Sequence, residues 1–149
     1  MARLEFSVEI AAPPDRVWVF FVPQRMPLWY GSEMDLHLEL LDEAQDFAAG
    51  QKVKISGTLV RSGVGITAVI TRHEWMRLLE WQFRDEFGVR GLQRWEIEPA
   101  PSGTRVHMLD DYEMPSRLGR ISDALLMRWS VSRRDHAWLA RLKRLAEGA

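Results

Sequence analysis

Apolar residues recur at every second position through most of the first 112 residues of this chain. From Arg3 to Ile10, apolar and polar side chains alternate strictly, which is typical of a strand with one buried face. The later runs with this period are Leu36 to Leu40, Val53 to Leu59, 64–74, Leu79 to Phe83, Gln93 to Ile97 and Val106 to Tyr112. Short polar or glycine-containing connections join them, as in antiparallel hairpins. A chain dominated by this period is predicted to build one antiparallel sheet.

Prolines interrupt the pattern directly after the first strand. Pro13 and Pro14 cannot extend a sheet interior but suit the start of a helix, so a short helix is predicted from Pro14 to Val22. Pro23 and Pro27 divide the next stretch into turns or a second short helix that ends near residue 31.

The period changes to three or four residues after Pro115. This spacing predicts one long amphipathic helix from Arg117 to Ala146. Its predicted apolar stripe consists of Leu118, Ile121, Leu125, Trp129, Ser132, His136, Leu139 and Leu142.

The order of elements is therefore a strand, two short helices, about six strands and one long helix. Only one long helix is available to cover the apolar face of the sheet, so the economical architecture is an α+β fold in which a curved sheet wraps around that helix. Residues 1–149 are expected to form one domain, because a chain of this length can bury a core of its own. Gaps between such a sheet and its helix are usual sites for small molecules.

Composition excludes several classes of function. Lys plus Arg (20) nearly balance Asp plus Glu (21), so no global charge favours nucleic acid or an anionic membrane. Cysteine is absent, which fits a reducing compartment, and no apolar run approaches the roughly 20 residues that cross a bilayer. A cytoplasmic protein is expected. The four histidines lack metal-ligand spacing, and no nucleotide or dinucleotide motif occurs, so neither a metal nor a cofactor is expected.

Four segments resemble the START-like or SRPBCC superfamily, which has the helix-grip fold, and within it the polyketide cyclase/dehydrase and lipid transport group. These segments read "FSVEIAAPPDRVWVFF", "PLWYG", "LLEWQF" and "RWEIEPAPSGTRVHM", and they occur in the family's order over nearly the whole chain. The resemblance implies a curved antiparallel sheet of about seven strands around a C-terminal helix. It implies no single function, because members include lipid carriers, hormone receptors, aromatase/cyclases and chaperone activators.

Asp110 is the main candidate for chemistry. Strand alternation places it on the same face as Val106, Met108 and Tyr112, and a carboxylate on an apolar wall is costly unless it is paired or solvated. In a cavity it would suit general-base work on a carbonyl compound, with the Tyr112 hydroxyl as a donor. The alternative is a structural or ligand-anchoring carboxylate paired with an Arg or Lys.

The expected ligand site combines an aromatic wall with a few polar groups. The wall residues are Trp18, Trp29, Tyr30, Trp81, Trp95 and Trp129, and the orienting polar residues are Gln93, Asp110 and Tyr112. Trp29 and Tyr30 are expected to form a lid over the pocket, the alternative being that they plug the end of a solid core. The inward face of 64–74 stays open: Arg72 points inward on one phase and His73 on the other, and a bulge could exchange them.

Three hypotheses on function follow. The first is a protein that binds a small hydrophobic or amphipathic molecule, of lipid, polyketide or aromatic type, with no nucleic acid partner and no stable membrane insertion. The second is a lyase of the aromatase/cyclase type that acts on carbonyl compounds. The third is a protein-interaction module related to chaperone activators, which requires a small dry cavity and an exposed apolar patch. The oligomeric state, monomer or homodimer, stays open.

Overall fold

The computed structural model describes residues 2–59, 62–114 and 121–148, and the side chains of 59, 62–64 and 121–126 lie outside that description. The strands are β1 (Ala2–Ile10), β2 (His37–Leu40), β3 (Lys52–Leu59), β4 (Ser62–Glu74), β5 (Leu78–Asp85), β6 (Arg90–Ala100) and β7 (Gly103–Glu113). The α-helices are α1 (Pro14–Trp18) and α2 (Ile121–Glu147). Three 3₁₀ turns, Val19–Phe21, Met26–Leu28 and Ser32–Met34, occupy the proline-divided stretch between α1 and β2.

The seven strands form one antiparallel sheet in the order β1-β7-β6-β5-β4-β3-β2. The first strand pairs with the last, Leu4 opposite Asp110 and Phe6 opposite Met108, while all other neighbours are consecutive in sequence. The inward phase expected for β7 is confirmed, since Val106, Met108 and Tyr112 are buried on the face that α2 covers. We call this the inner face of the sheet.

A bulge in β4 answers the question of its inward face. Ile66 and Ile70 face inward, but the register shifts between Ile70 and Arg72, so that His73 then lies opposite the inward-facing Leu79. Arg72 is left on the outer face, where it pairs with Glu74 at 3.1 Å. The extra residue therefore exchanges the faces of the strand midway, as bulges do.

Gly57 lets the chain after α1 lie directly on the inner face. It follows Val53 and Ile55 along β3, and a Cβ at this position would lie 2.8 Å from the Met34 carbonyl oxygen. Only glycine permits that approach without displacing the Ser32–Met34 turn. The Ser32–Met34 turn then sets the position of the Met34 side chain, which lies beside the cavity described below.

The predicted apolar stripe of the long helix is only partly right. Leu139 and Leu142 are buried, but Trp129 is 59% exposed on the outer side of α2, with the Arg133 guanidinium 5.4 Å from its ring. Ser132 is half-buried and His136 exposed, whereas the buried positions between 127 and 147 are Val131, Asp135, Trp138, Leu139, Leu142 and Ala146. Leu118 and the side chains of Ile121 and Leu125 lie outside the described residues.

The phase error has a physical cause. Asp135, a residue that an apolar pattern assigns to the surface, lies on the buried side of α2. Trp129, which the same pattern assigns to the interior, lies on the exposed side. Asp135 is tolerated inside because the side chains of Arg134 and Asp110 hydrogen-bond to it, which is the usual condition for a buried carboxyl group.

Candidate functional site

Packed aromatic rings fill the centre of the inner face. Trp29, Trp81 and Trp95 are fully buried, with ring centroids 6.0 Å apart for Trp29 and Trp95 and 5.0 Å apart for Trp81 and Trp95. The Trp29 indole N–H donates to the Phe20 carbonyl oxygen at 2.8 Å. Trp29 is therefore held inside the solid core. This position favours the alternative given above, in which Trp29 plugs a core, over a lid. Tyr30 packs on Trp81 at 5.4 Å and continues the cluster toward α2.

A cavity of about 60 Å³, here called the inner cavity, lies between this cluster and α2. Its polar and aromatic lining consists of Tyr30, Asp85, Gln93, Asp110, Tyr112, Arg134 and Trp138. Its apolar lining consists of Met34, Ile66, Phe83, Val89, Met127 and Val131. Ile66, Phe83 and Met127 are only half-buried, so they mark the side of the cavity that faces solvent.

Gln93 is the centre of a buried hydrogen-bond network. Its side-chain oxygen accepts from the Tyr30 hydroxyl at 2.8 Å and from the Trp81 indole N–H at 3.0 Å. Two donors on that oxygen fix the orientation of the amide, so the Gln93 nitrogen points to Asp110 and donates to Oδ2 at 3.3 Å. The network thereby requires Asp110 to act as an acceptor.

Asp110 and Asp135, here called the carboxyl pair, share one guanidinium between the sheet and α2. Arg134 lies 3.4 Å from Asp110 Oδ2 and 3.3 Å from Asp135 Oδ1, and both carboxyl side chains are at most 1% exposed. The Arg134 side chain is one third exposed and also lies over the Trp138 ring at 4.4 Å. A cation thus connects a carboxylate of the sheet to a carboxyl group of the helix.

Burial sets the charges of these groups. It raises the pKa of Asp135 to about 9, and a hydrogen bond with Asp110 and repulsion from it add to the rise. Burial also raises the pKa of Tyr30 and of Tyr112 above that of an exposed tyrosine, so both stay neutral donors. For Arg134, burial opposes the charge, but Asp135 and Asp110 outweigh it and raise the pKa. Near neutral pH Asp135 therefore retains its proton, and the hydrogen bond to Asp110 places that proton within the carboxyl pair.

Several buried polar atoms at this site have no hydrogen-bond partner within the described residues. They are Tyr112 Oη, Asp110 Oδ1 and Asp135 Oδ2, together with the Trp95 indole nitrogen nearby. One proton held by the carboxyl pair can satisfy an oxygen of each member, but Tyr112 needs a further partner. Buried polar groups are costly when unsatisfied, so the Tyr112 hydroxyl retains unused hydrogen-bonding capacity beside the inner cavity.

Comparison with known proteins places this architecture. The sequence profile of the family described as "Polyketide cyclase / dehydrase and lipid transport" matches residues 1–147. The chain belongs to this family. A search of curated protein sequences finds no match.

Solved structures show the family's helix-grip fold. Protein CV1439 from Chromobacterium violaceum has a TM-score of 0.74 at 14% identity, with 99% of each chain covered. A protein from Arthrobacter aurescens has a TM-score of 0.73 at 16% identity, covering 97% of this chain and 85% of its own. DynU16, from the dynemicin biosynthetic locus, has a TM-score of 0.69 at 19% identity and is covered over 46% of its length and 95% of this chain. The predicted family and fold are confirmed.

The structure brings most of the predicted site residues together. Tyr30, Gln93, Asp110 and Tyr112 line the inner cavity, and the three buried tryptophans Trp29, Trp81 and Trp95 pack behind it as core. Trp129 lies outside, because its ring is on the solvent side of α2.

Trp18 lies at a different site. It stacks on Phe21 at 5.6 Å and contacts His73 at the same distance. These residues line an open groove of about 600 Å³ together with Trp75, which is exposed. Burial lowers the pKa of His73, so this histidine is mostly neutral near pH 7.

Sequence reasoning missed Arg134 and Asp135. The signal was present: positions 131, 135, 138, 139 and 142 follow helical spacing, and only one of them is charged. An isolated carboxyl residue on an apolar stripe marks a functional or paired group. Because Trp129 was assigned to the buried face of the helix, the face that contains Asp135 was assigned to solvent.

No group of three or more His, Cys, Asp or Glu side chains that could hold a metal ion occurs within the described ranges. Nor does any helix there, the 27-residue α2 included, combine the length and apolarity needed to cross a bilayer.

Proposed function

We propose that this protein binds a small hydrophobic or amphipathic molecule in the inner cavity. The observation that carries the proposal is a mainly apolar cavity whose lining includes Tyr112, a residue whose buried hydroxyl has no hydrogen-bond partner among the described residues. Apolar walls with a few convergent polar groups are the usual composition of small-molecule sites. The description of the family, which includes lipid transport, supports the same class of ligand.

The size of the cavity limits how a ligand can be held. At about 60 Å³ it is far below the roughly 300 to 1,000 Å³ of typical ligand pockets, so it accommodates a polar head group and little more. An apolar tail must pass between Ile66, Phe83 and Met127, the half-buried residues on the solvent side. Met127 suits this role, because methionine side chains adapt to irregular partners at low cost.

A cavity-filling variant tests this function. In Val131→Phe the larger ring occupies the inner cavity, and in the control Val69→Phe the same change is made on the outer face of β4, where Val69 is exposed. We expect eight-carbon alcohols and amines to raise the melting temperature of the parent and of Val69→Phe, but not of Val131→Phe. Equal stabilisation of both variants would place binding elsewhere on the protein.

A second candidate is an enzyme acting on carbonyl compounds, as in the cyclase part of the family. The observation that favours it is the proton held by the carboxyl pair next to a tyrosine hydroxyl, since such groups can exchange protons with a bound ketone. NMR of a medium-chain ketone in D₂O with the protein would detect exchange of its α-protons, and Asp110→Asn should abolish that exchange. Binding of the ketone without exchange would support the binding function and contradict the enzymatic one.

The interaction-module hypothesis requires a dry cavity, whereas the inner cavity has charged lining residues.

A further inference from the structure

We propose that the inner cavity selects apolar amines, whose ammonium group binds Asp110 in place of the proton held by the carboxyl pair. This inference rests on the proposed function and specifies its ligand class. It starts from a count of charges: among the residues that the structure describes, Asp110 and Asp135 share a single cation, Arg134, so this cluster, when fully ionised, has one negative charge in excess. In the absence of a guest, a proton removes that excess.

The geometry allows a second cation to replace the proton. Arg134 bonds Asp135 through both Nε and Nη2, at 3.3 Å each, but reaches Asp110 through Nη2 alone at 3.4 Å. Once the proton leaves, Arg134 neutralises Asp135, and Asp110 keeps only the neutral donor Gln93 besides its share of the guanidinium. The Oδ1 atom of Asp110 has no partner within the described part of the chain, and Asp110 lines the cavity. An ammonium in the cavity supplies both the missing charge and the missing donors.

The rest of the lining fits an amine with an apolar tail. The Tyr112 hydroxyl, also without a partner, can accept a second ammonium hydrogen. At the solvent side, the half-buried Asp85 adds a second lining carboxylate, so the charged lining residues that the structure describes are two acids and one arginine. A carboxylate head group would instead lie against Asp110 and would be repelled.

The exchange is balanced: an alkylammonium enters, one proton leaves to solvent, and the net charge of the site is unchanged. Among the described side chains, the titratable and charged groups around the site, from every element packed on it, are Glu33, Asp85, Asp110, Tyr112, Arg128, Arg134, Asp135 and Tyr30. Two of them are engaged elsewhere: Glu33 accepts from Trp138 at 2.8 Å, and Asp85 accepts from the backbone N–H groups of Phe87 and Val89 at 2.9 Å.

The pH dependence of binding follows from the proton exchange. The pKa of Asp135 is about 9, and an alkylammonium titrates near that of lysine, about 10.4. Amine affinity should therefore rise as the pH increases from 6 to 9, by up to about tenfold per pH unit, because the competing proton becomes scarcer. Alcohol affinity should stay flat over the same range.

The test uses three ligands with one tail, n-octylamine, 1-octanol and octanoate, measured by calorimetry at pH 7.5. Two buffers of different ionisation enthalpy report the protons released. We expect octylamine to bind at least tenfold more tightly than octanol, with octanoate weakest and about one proton released per amine bound. In Asp110→Asn the amine should fall to the affinity of octanol, while in the control Asp111→Asn, changed on the outer face of β7, the preference should remain.

Each other outcome overturns the inference in a distinguishable way. Equal affinity for octanol and octylamine, or amine binding with no proton release, refutes selection by charge but leaves the binding function standing. Tightest binding of octanoate shows that Arg134, not Asp110, receives the head group. Binding of none of the three refutes both the inference and the proposed function. Retained octanol binding by Asp110→Asn shows that the variant is folded.

Discussion

At the scale of single residues, one buried amide decides the state of the site. Gln93 accepts two hydrogen bonds and donates one, so its orientation is fixed from three directions. That orientation presents a donor to Asp110 and keeps it an acceptor next to the cavity. A hydrocarbon at position 93 would fill similar space but satisfy none of these groups.

Gln93→Met should destabilise the protein by about 2 to 5 kcal/mol, because the Tyr30 hydroxyl and the Trp81 indole N–H each lose their acceptor inside the core. The free energy of unfolding in urea measures this cost. The matched control is Gln82→Met on the exposed outer face of β5, which should change stability by less than about 0.5 kcal/mol. Similar losses of unfolding free energy in both variants would mean that the hydrogen bonds of Gln93 add no stability beyond the packing of its side chain.

At the scale of elements, the cavity exists because irregular chain packs directly against a regular sheet. The 3₁₀ turn Ser32–Met34 rests on β3 at Gly57, and the turn after it leads into the short edge strand β2. The opposite wall comes from α2, through Val131, Arg134 and Trp138. The positions of both walls are therefore set by close contacts between elements that are distant in sequence.

Gly57→Ala should cost about 1 to 3 kcal/mol of stability, because the new methyl group meets the Met34 carbonyl oxygen at 2.8 Å and the turn must shift. Gly65→Ala in the adjacent strand is the control, since its Cβ would approach no atom closer than the Glu86 carboxylate at 3.9 Å. That change should be neutral or slightly stabilising. Thermal unfolding compares the two, and equal melting temperatures would contradict a tight contact at Gly57.

At the scale of the whole molecule, folding brings two carboxyl groups from β7 and α2 together and requires one of them to be protonated. The pKa of Asp135 is about 9 in the folded protein and near 3.9 when unfolded. The folded state thus binds more protons between these values, so the contribution of Asp135 to stability is fully present below pH 4 and is lost as the pH rises toward 9.

Asp135→Asn should remove this pH dependence, because the amide imitates the protonated carboxyl group at every pH. Relative to the parent, the variant should gain stability between pH 5 and pH 9, with a limiting slope of about 1.4 kcal/mol per pH unit. Urea unfolding at several pH values measures the difference. A parallel curve for Asp135→Asn would show that Asp135 is ionised in the folded protein.

The sequence alone determined the architecture, because strand and helix periods are local properties of the chain. Alternation was enough to place Asp110 and Tyr112 on one buried face, and the single change of period after Pro115 predicted α2. Alternation also put Gln93 on the same side of its strand as Trp95, but the family resemblance was needed to turn that side inward. The order of these segments carried the family resemblance that the profile match confirms.

Only the tertiary structure decided which of these residues share a cavity and what charge they hold. The bulge that turns His73 inward and Arg72 outward depends on pairing with β5, which a local pattern does not contain. The phase of α2 depends on whether the buried Asp135 carboxyl group finds hydrogen-bonding partners. Arg134 precedes it on the same helix, but Asp110 of β7 meets it only after the helix packs on the sheet. A buried charge is permitted by its neighbours in space, so its position cannot be read from apolar spacing along the chain.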